Sequence, residues 1–362
     1  MANKKLPNLD ALRAFLAISV VICHIPRLSE PLGIPFYDDL PIIKRGFDAV
    51  LVFFSLSGFL IIGMLYDEKL KYGSINIKNF YIRRILRLYP VYYLVLIFGL
   101  IFYIYIIPLI GMPQRAEYSL WEGIAWNAGF LPNVFRIVYD PGFILLILWS
   151  IGIEEQFYLF IAPFIYLMPK KWFFKSLIFF TVIYFILFHI EVFINLEKYL
   201  FYYFNISIGG IIAIIFRHQE KFKFLFQPFL KYATYILSIL YFFTDWFIFD
   251  SKVLSNLFVT ITFSLLILYL ANEKKIIVTN KNINYMGKIS YGIYMYHIIV
   301  LHLVLFPIQK FKISDTIGDA PTIILINISC LIITILMSHF SFKYYERFFL
   351  KFKNKYRRVI DS

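Results

Sequence analysis

Asp10, Arg13 and His24 stand in the first apolar stretch of the chain, Glu154 and Glu155 in the fourth, and His297 and His302 in the ninth. An ionisable group in such a stretch is costly inside a bilayer unless it faces protein or water, so each marks a functional site or a polar tie between helices. Arg13 and His24 are separated by eleven residues, three helical turns plus about 20°, so they share one face about 16 Å apart along the axis. His24 reads either as an acid–base group or as a core histidine satisfied by its neighbours. Cys23 points about 100° away from it, which argues against a thiolate–imidazole pair.

In Trp149-Ser150-Ile151-Gly152-Ile153-Glu154-Glu155-Gln156 the two carboxylates are adjacent. Side chains about 100° apart are expected not to share one narrow site, so one of them is assigned to structure. Their depth alone does not decide whether Glu154 meets His24. Between the second and third apolar stretches lie Arg83, Arg84 and Arg87, followed by Tyr89-Pro90 as a stiff lead into the next helix. Arg84 and Arg87, one turn apart, suit a phosphate clamp, because guanidinium groups bind phosphate oxygens in pairs. The same run also serves as a topology signal and a headgroup anchor. Ser57-Gly58 more often permits close helix packing than supplies a nucleophile. Tyr291, Tyr294 and His297 recur every third residue and form a polar-tipped strip able to line a cavity.

The elements that position these residues follow from composition. Of 362 residues, 60% are hydrophobic and 21% aromatic, against roughly 45–50% apolar in soluble domains. A helix needs about 20 apolar residues to cross a bilayer. Ten segments meet that rule: 9–28, 46–66, 88–110, 142–167, 173–194, 199–216, 230–249, 255–271, 289–308 and 321–342. The fold class is therefore all-α, a polytopic membrane protein of about ten helices. The expected organisation is one transmembrane domain over 1–342 and a basic tail over 343–362.

Most of the 36 Lys and Arg residues fall on the side of the N-terminus, so both termini are expected in the cytoplasm. Contact with anionic membrane lipid accounts for the net charge of +14 without nucleic acid as a partner. No small-residue cleavage site follows the first segment, which reads as a retained helix. The two cysteines provide neither a disulfide framework nor metal spacing, and no metal is expected. Arg115, Trp121, Trp126 and Arg136 lie in the longest outer loop, where aromatic residues serve as interface anchors or sugar platforms.

Taken together and in order, these motifs resemble the membrane acyltransferase 3 family. The resemblance rests on Leu9-Asp10-Ala11-Leu12-Arg13 with His24, and on Phe54 through Ser57-Gly58-Phe59. It also rests on Arg83-Arg84, Arg87 and Pro90, on Trp149-Ser150 with Glu154-Glu155-Gln156-Phe157-Tyr158, and on Ser290-Tyr291 with His297. It implies a stand-alone O-acetyltransferase of the bacterial inner membrane. The donor would be acetyl-CoA from the cytoplasm, and the acceptor a hydroxyl of an extracytoplasmic polysaccharide or lipid-linked glycan.

By position, the resemblance makes His24 the catalytic base, Arg13 its required partner and Glu154 the favoured acid. Arg83, Arg84 and Arg87 would bind the donor. Asp10, Ser57, Trp149, Glu155, Tyr291, Tyr294 and His297 are expected to line the cavity. A pantetheine arm of about 15–20 Å would bridge the arginines and His24. Direct transfer and an acyl-histidine intermediate both remain open. A glycan or small-molecule transporter is the alternative class, but no internal repeat between the two halves supports it. A glycan polymerase ranks last, because it would call for a larger outer loop.

Overall fold

The computed structural model describes residues 6–111, 117–273, 277 and 280–356. Lys4 and Lys5 of the basic N-terminus, Arg115 of the outer loop and 357–362 of the expected tail lie outside them. Among the described residues all regular structure is helical. In chain order the main helices are α1 (Pro7–Ser29), α2 (Gly46–Tyr72), α3 (Ile77–Ile101), α4 (Leu120–Ala128), α5 (Pro132–Val138), α6 (Trp149–Leu167) and α7 (Lys170–Phe188). They continue with α8 (Tyr203–Arg217), α9 (Pro228–Phe243), α10 (Lys252–Asn272), α11 (Lys281–Lys288), α12 (Ser290–Lys310), α13 (Asp319–Phe340) and α14 (Arg347–Lys353).

Eight helical stretches among the described residues are long and apolar enough to cross a bilayer. The chain is an all-α polytopic membrane protein. The sixth and seventh expected spans are shorter than their apolar runs. Helix α8 has 15 residues and is bent by 81° from the helical turns Glu191–Lys198, with which it forms either a broken span or a re-entrant loop. Leu200, with φ of +58°, turns the chain there, so part of the aromatic run lies outside the helix. Helix α9 stops after 16 residues, where Thr244 is extended and its hydroxyl donates to the carbonyl of Leu240. The aromatic residues up to Phe249 kept the sequence apolar beyond that stop.

The third helix begins eleven residues earlier than its apolar stretch. Asn76 caps it by accepting from the backbone N–H of Asn79 at 2.9 Å, and Glu68 accepts from the N–H of Asn76 at 2.8 Å. Arg83, Arg84, Arg87 and Pro90 therefore lie inside a continuous helix, which corrects the reading of Tyr89-Pro90 as the lead into it. Hydropathy ended the span at the arginines, yet Arg is a good helix former, and a membrane helix tolerates an internal proline.

Two compact units divide the chain: one holds 54–217 with 346–356, the other 6–53 with 218–345. In the first, α2 and α8 approach at backbone distance. A Cβ on Gly58 would lie 1.8 Å from the carbonyl oxygen of Ile206, and one on Gly209 would lie 1.9 Å from that of Ser55. Only glycine fits at either place.

In the second unit α1 packs against α11, α12 and α13. Ala17, Val21, Ile289 and Ile293 form a closed apolar core there, flanked by Phe53, Met286 and Leu331. Gly287 of α11 lies directly on the backbone of Asp10, which brings the start of α12 close to α1. Cys23 is sealed against Gly46, so the neighbour of His24 in sequence is a packing residue.

Candidate functional site

Each unit carries one cluster of the residues singled out above. In the second unit the unbroken α1 carries Asp10, Arg13 and His24. Arg13 Nη1 donates to Asp10 Oδ1 at 2.7 Å, one turn back, with both side chains about four-fifths buried. Asp10 thus serves the arginine directly.

His24 is half-buried. Its Nδ1 lies 2.8 Å from the carbonyl oxygen of Val20. A carbonyl only accepts, so in the neutral ring Nδ1 carries the proton and Nε2 carries the basic lone pair. The His24 ring meets His297 of α12 edge-on, with centroids 4.9 Å apart at 65°.

His297 is fully buried and repeats the arrangement. Its Nδ1–H donates to the carbonyl of Tyr294, and its enclosed Nε2 has no hydrogen-bond partner among the described residues. The Tyr294 ring lies 5.8 Å from that of His297. Two imidazoles with locked tautomers therefore sit side by side, each with its lone pair on Nε2. Tyr291, one turn earlier on α12, is half-buried. Backbone hydrogen bonding within single helices sets both tautomers, but only the packing of α12 on α1 brings the rings together.

In the first unit Arg84 of α3 stands between the two glutamates of α6. Its Nη2 lies 3.6 Å from Glu154 Oε2 and 3.5 Å from Glu155 Oε1, and its guanidinium covers the ring of Tyr158 at 4.1 Å. The two glutamates, expected not to share one narrow site, both reach the Arg84 guanidinium. They leave α6 about 100° apart, but the length of Glu and Arg side chains lets both carboxylates reach one guanidinium.

Ser57 of α2 donates to Glu154 Oε2 at 3.0 Å, and Tyr158 donates to the same oxygen at 2.9 Å. The hydroxyls of Ser57 and Tyr158 are themselves in contact. Ser57 is thus a ligand of the carboxylate, while Gly58 provides the close packing. Trp149, at the start of α6, is buried with its ring edge-on to Phe54 at 5.8 Å.

The three arginines of α3 part company. Arg83 is buried, 3.6 Å from Glu68, and donates to the carbonyl of Tyr356 at 2.7 Å. Arg84 is buried in the glutamate cluster, whereas Arg87 is exposed. Sequence reasoning gave no role to Glu68 or Tyr158. Tyr158 follows Glu154 by four residues and so shares its helix face, a signal that was available. Nothing in sequence linked Glu68 to Arg83.

A cavity of about 570 Å³ in the second unit is lined by Glu30, Phe36, Asp315 and Asp319 among others, and by none of the candidates above. Among the described residues no three His, Cys, Asp or Glu side chains gather as a metal site.

A helical membrane body with an imidazole pair and a guanidinium–dicarboxylate cluster defines a class of integral-membrane proteins with intramembrane polar sites. The chain belongs to the acyltransferase 3 family, described as an acyltransferase domain, whose pattern it matches over residues 6–339. It is similar to the peptidoglycan O-acetyltransferase OatA of Listeria monocytogenes, 33% identical over 178 residues, which cover 47% of this chain and 26% of that protein. It is also similar to the O-acetyltransferase OatA of Staphylococcus aureus, 33% identical over 161 residues, covering 42% and 24%. The matched part is thus about a quarter of the length of these relatives. No solved structure matches the chain.

Proposed function

We propose that this protein is a membrane O-acetyltransferase that moves an acetyl group from cytoplasmic acetyl-CoA to a hydroxyl of an extracytoplasmic glycan, with both termini in the cytoplasm and the body in the bacterial inner membrane. Family membership supports acyl transfer, and the names of the relatives support a glycan acceptor. The observation that carries the reading is the His24–His297 pair.

His24, with Nδ1–H fixed on Val20, offers Nε2 as the base. In direct transfer this nitrogen takes the proton of the acceptor hydroxyl as its oxygen attacks the thioester carbonyl. The tetrahedral intermediate collapses, the C–S bond breaks, and the proton passes from Nε2 to the departing CoA thiolate. In the covalent variant Nε2 attacks the thioester carbonyl and the C–S bond breaks, releasing the CoA thiolate; the acceptor oxygen then attacks the acyl-imidazole, the N–C bond breaks, and the hydroxyl proton passes by way of Nε2 to the thiolate.

The His297 ring packs edge-on against the His24 imidazole and so orients the base. Arg13 supplies a fixed positive charge on the same helix, already oriented by Asp10. Arg87, exposed on α3, is the cation suited to the phosphates of the donor. Arg83 and Arg84, held by carboxylates, shape the helices around it.

The test is transfer from labelled acetyl-CoA to bacterial glycan by the full chain in vesicles. His24→Ala is expected to abolish transfer at unchanged expression and folded yield. Full transfer by that variant would remove His24 from the mechanism.

A further inference from the structure

Six arginines among the described residues are buried or half-buried, and five of them meet a carboxylate. Arg13 meets Asp10, Arg45 meets Asp48, Arg83 meets Glu68, Arg84 meets Glu154 and Glu155, and Arg217 meets Asp67. The sixth is Arg136 on α5. It is half-buried, and among the described residues its enclosed Nε has no hydrogen-bond acceptor and no carboxylate lies within ion-pair distance. Burial pushes its guanidinium below its ordinary pKa, and the neighbouring Tyr202 partly offsets this.

The element that presents Arg136 is rigid. Pro132 packs on Gly152 of α6, where a Cβ would come within 2.6 Å of the proline ring. Asn133 accepts from Gln156 Nε2 at 2.8 Å and donates to the carbonyl of Tyr199 at 2.9 Å. Phe135 is fully buried with its ring 4.8 Å from that of Tyr118. A guanidinium fixed in this way and left unmatched destabilises the fold, since its charge is partly desolvated and one buried donor is unused. Such an arrangement is stable in use when an external oxyanion completes it, because the planar fork binds carboxylate or phosphate through parallel N–H bonds.

We propose that Arg136 is an oxyanion-binding position that holds a carboxylate or phosphate carried by the acyl acceptor. The assignment to the acceptor rests on the function proposed above. The half-buried guanidinium favours a small anionic group on an incoming ligand over the headgroups of the surrounding bilayer, which contact exposed side chains.

The experiment uses the full chain in phosphatidylcholine vesicles at fixed ionic strength without acetyl-CoA, following its thermal midpoint as D-glucuronate, inorganic phosphate or D-glucose is added. The midpoint is expected to rise saturably with D-glucuronate and with phosphate but not with D-glucose. Arg136→Gln should weaken half-saturation at least tenfold, about 1.4 kcal/mol, while Arg136→Lys retains part of the response and the exposed Arg27→Gln retains all of it. Without added anion, Arg136→Gln should unfold at a temperature no lower than the native chain, because it loses a charge that has no partner.

Absence of a saturable rise, or an unaltered response in Arg136→Gln, would overturn the proposal. If phosphatidylglycerol vesicles raise the midpoint and erase the D-glucuronate response, a lipid headgroup is the occupant and the acceptor assignment falls. His24→Ala should respond like the native chain, which separates failure of this site from failure of the transfer mechanism.

Discussion

Replacing Arg84 by Met removes the only guanidinium that both Glu154 and Glu155 reach at 3.5–3.6 Å among the described residues. The side chains of Arg84, Glu154 and Glu155 are 8%, 15% and 6% exposed, so this is not a surface pair worth a fraction of a kcal/mol. Stripping one partner from a buried ion pair leaves uncompensated charge and costs about 3–5 kcal/mol. Loss of the contact with the Tyr158 ring adds about 0.5–2 kcal/mol.

The second half of the experiment is Glu155→Gln in both backgrounds. In the native chain it weakens a charge-assisted contact and is expected to destabilise by about 1–3 kcal/mol. In Arg84→Met the same change removes an orphaned carboxylate and should stabilise, so its sign reverses. The assay is equilibrium unfolding of the full chain in mixed micelles, followed by tryptophan fluorescence, as a double-mutant cycle. Effects of Glu155→Gln that agree within about 0.5 kcal/mol in the two backgrounds would refute the cluster as one electrostatic unit.

Gly58→Val should cost more than about 3 kcal/mol, or abolish folded yield, because its Cβ meets the backbone of Ile206, which cannot move aside as a side chain tip would. Thermal aggregation of the purified chain measures this, and an unchanged midpoint would show that α2 and α8 do not pack as described. Maleimide should label neither Cys23 nor Cys330 in the folded chain and both after denaturation, since both are buried. Mass spectrometry reads the adducts, and rapid labelling of Cys23 would reopen it as a reactive thiol. Arg87→Gln should raise the Kd for acetyl-CoA severalfold at unchanged unfolding midpoint, whereas Arg84→Gln should lower the midpoint first. Calorimetry on both variants decides, and equal donor affinity in Arg87→Gln would remove it from donor binding.

The apolar runs determined that the chain is a bundle of membrane helices, and they located most of the spans, because about 20 apolar residues in a row have few other stable uses. Local spacing also placed Asp10, Arg13 and His24 on one helix, and the ordered motifs were enough to indicate the family. Hydropathy misjudged ends wherever charge and helix part company. Arg83 to Pro90 are helical although polar, and the aromatic residues beyond Phe243 are apolar although not helical.

Tertiary structure alone decided the partners. Periodicity fixes the face on which a side chain leaves its own helix, but not which helix lies opposite. Only the packing of α12 on α1 pairs His297 with His24, and only the packing of α3 near α6 lets Arg84 join two glutamates that their own helix points apart. The same holds for Arg136, a loop arginine in the sequence, which the packing of α5 half-buries with no carboxylate in reach among the described residues.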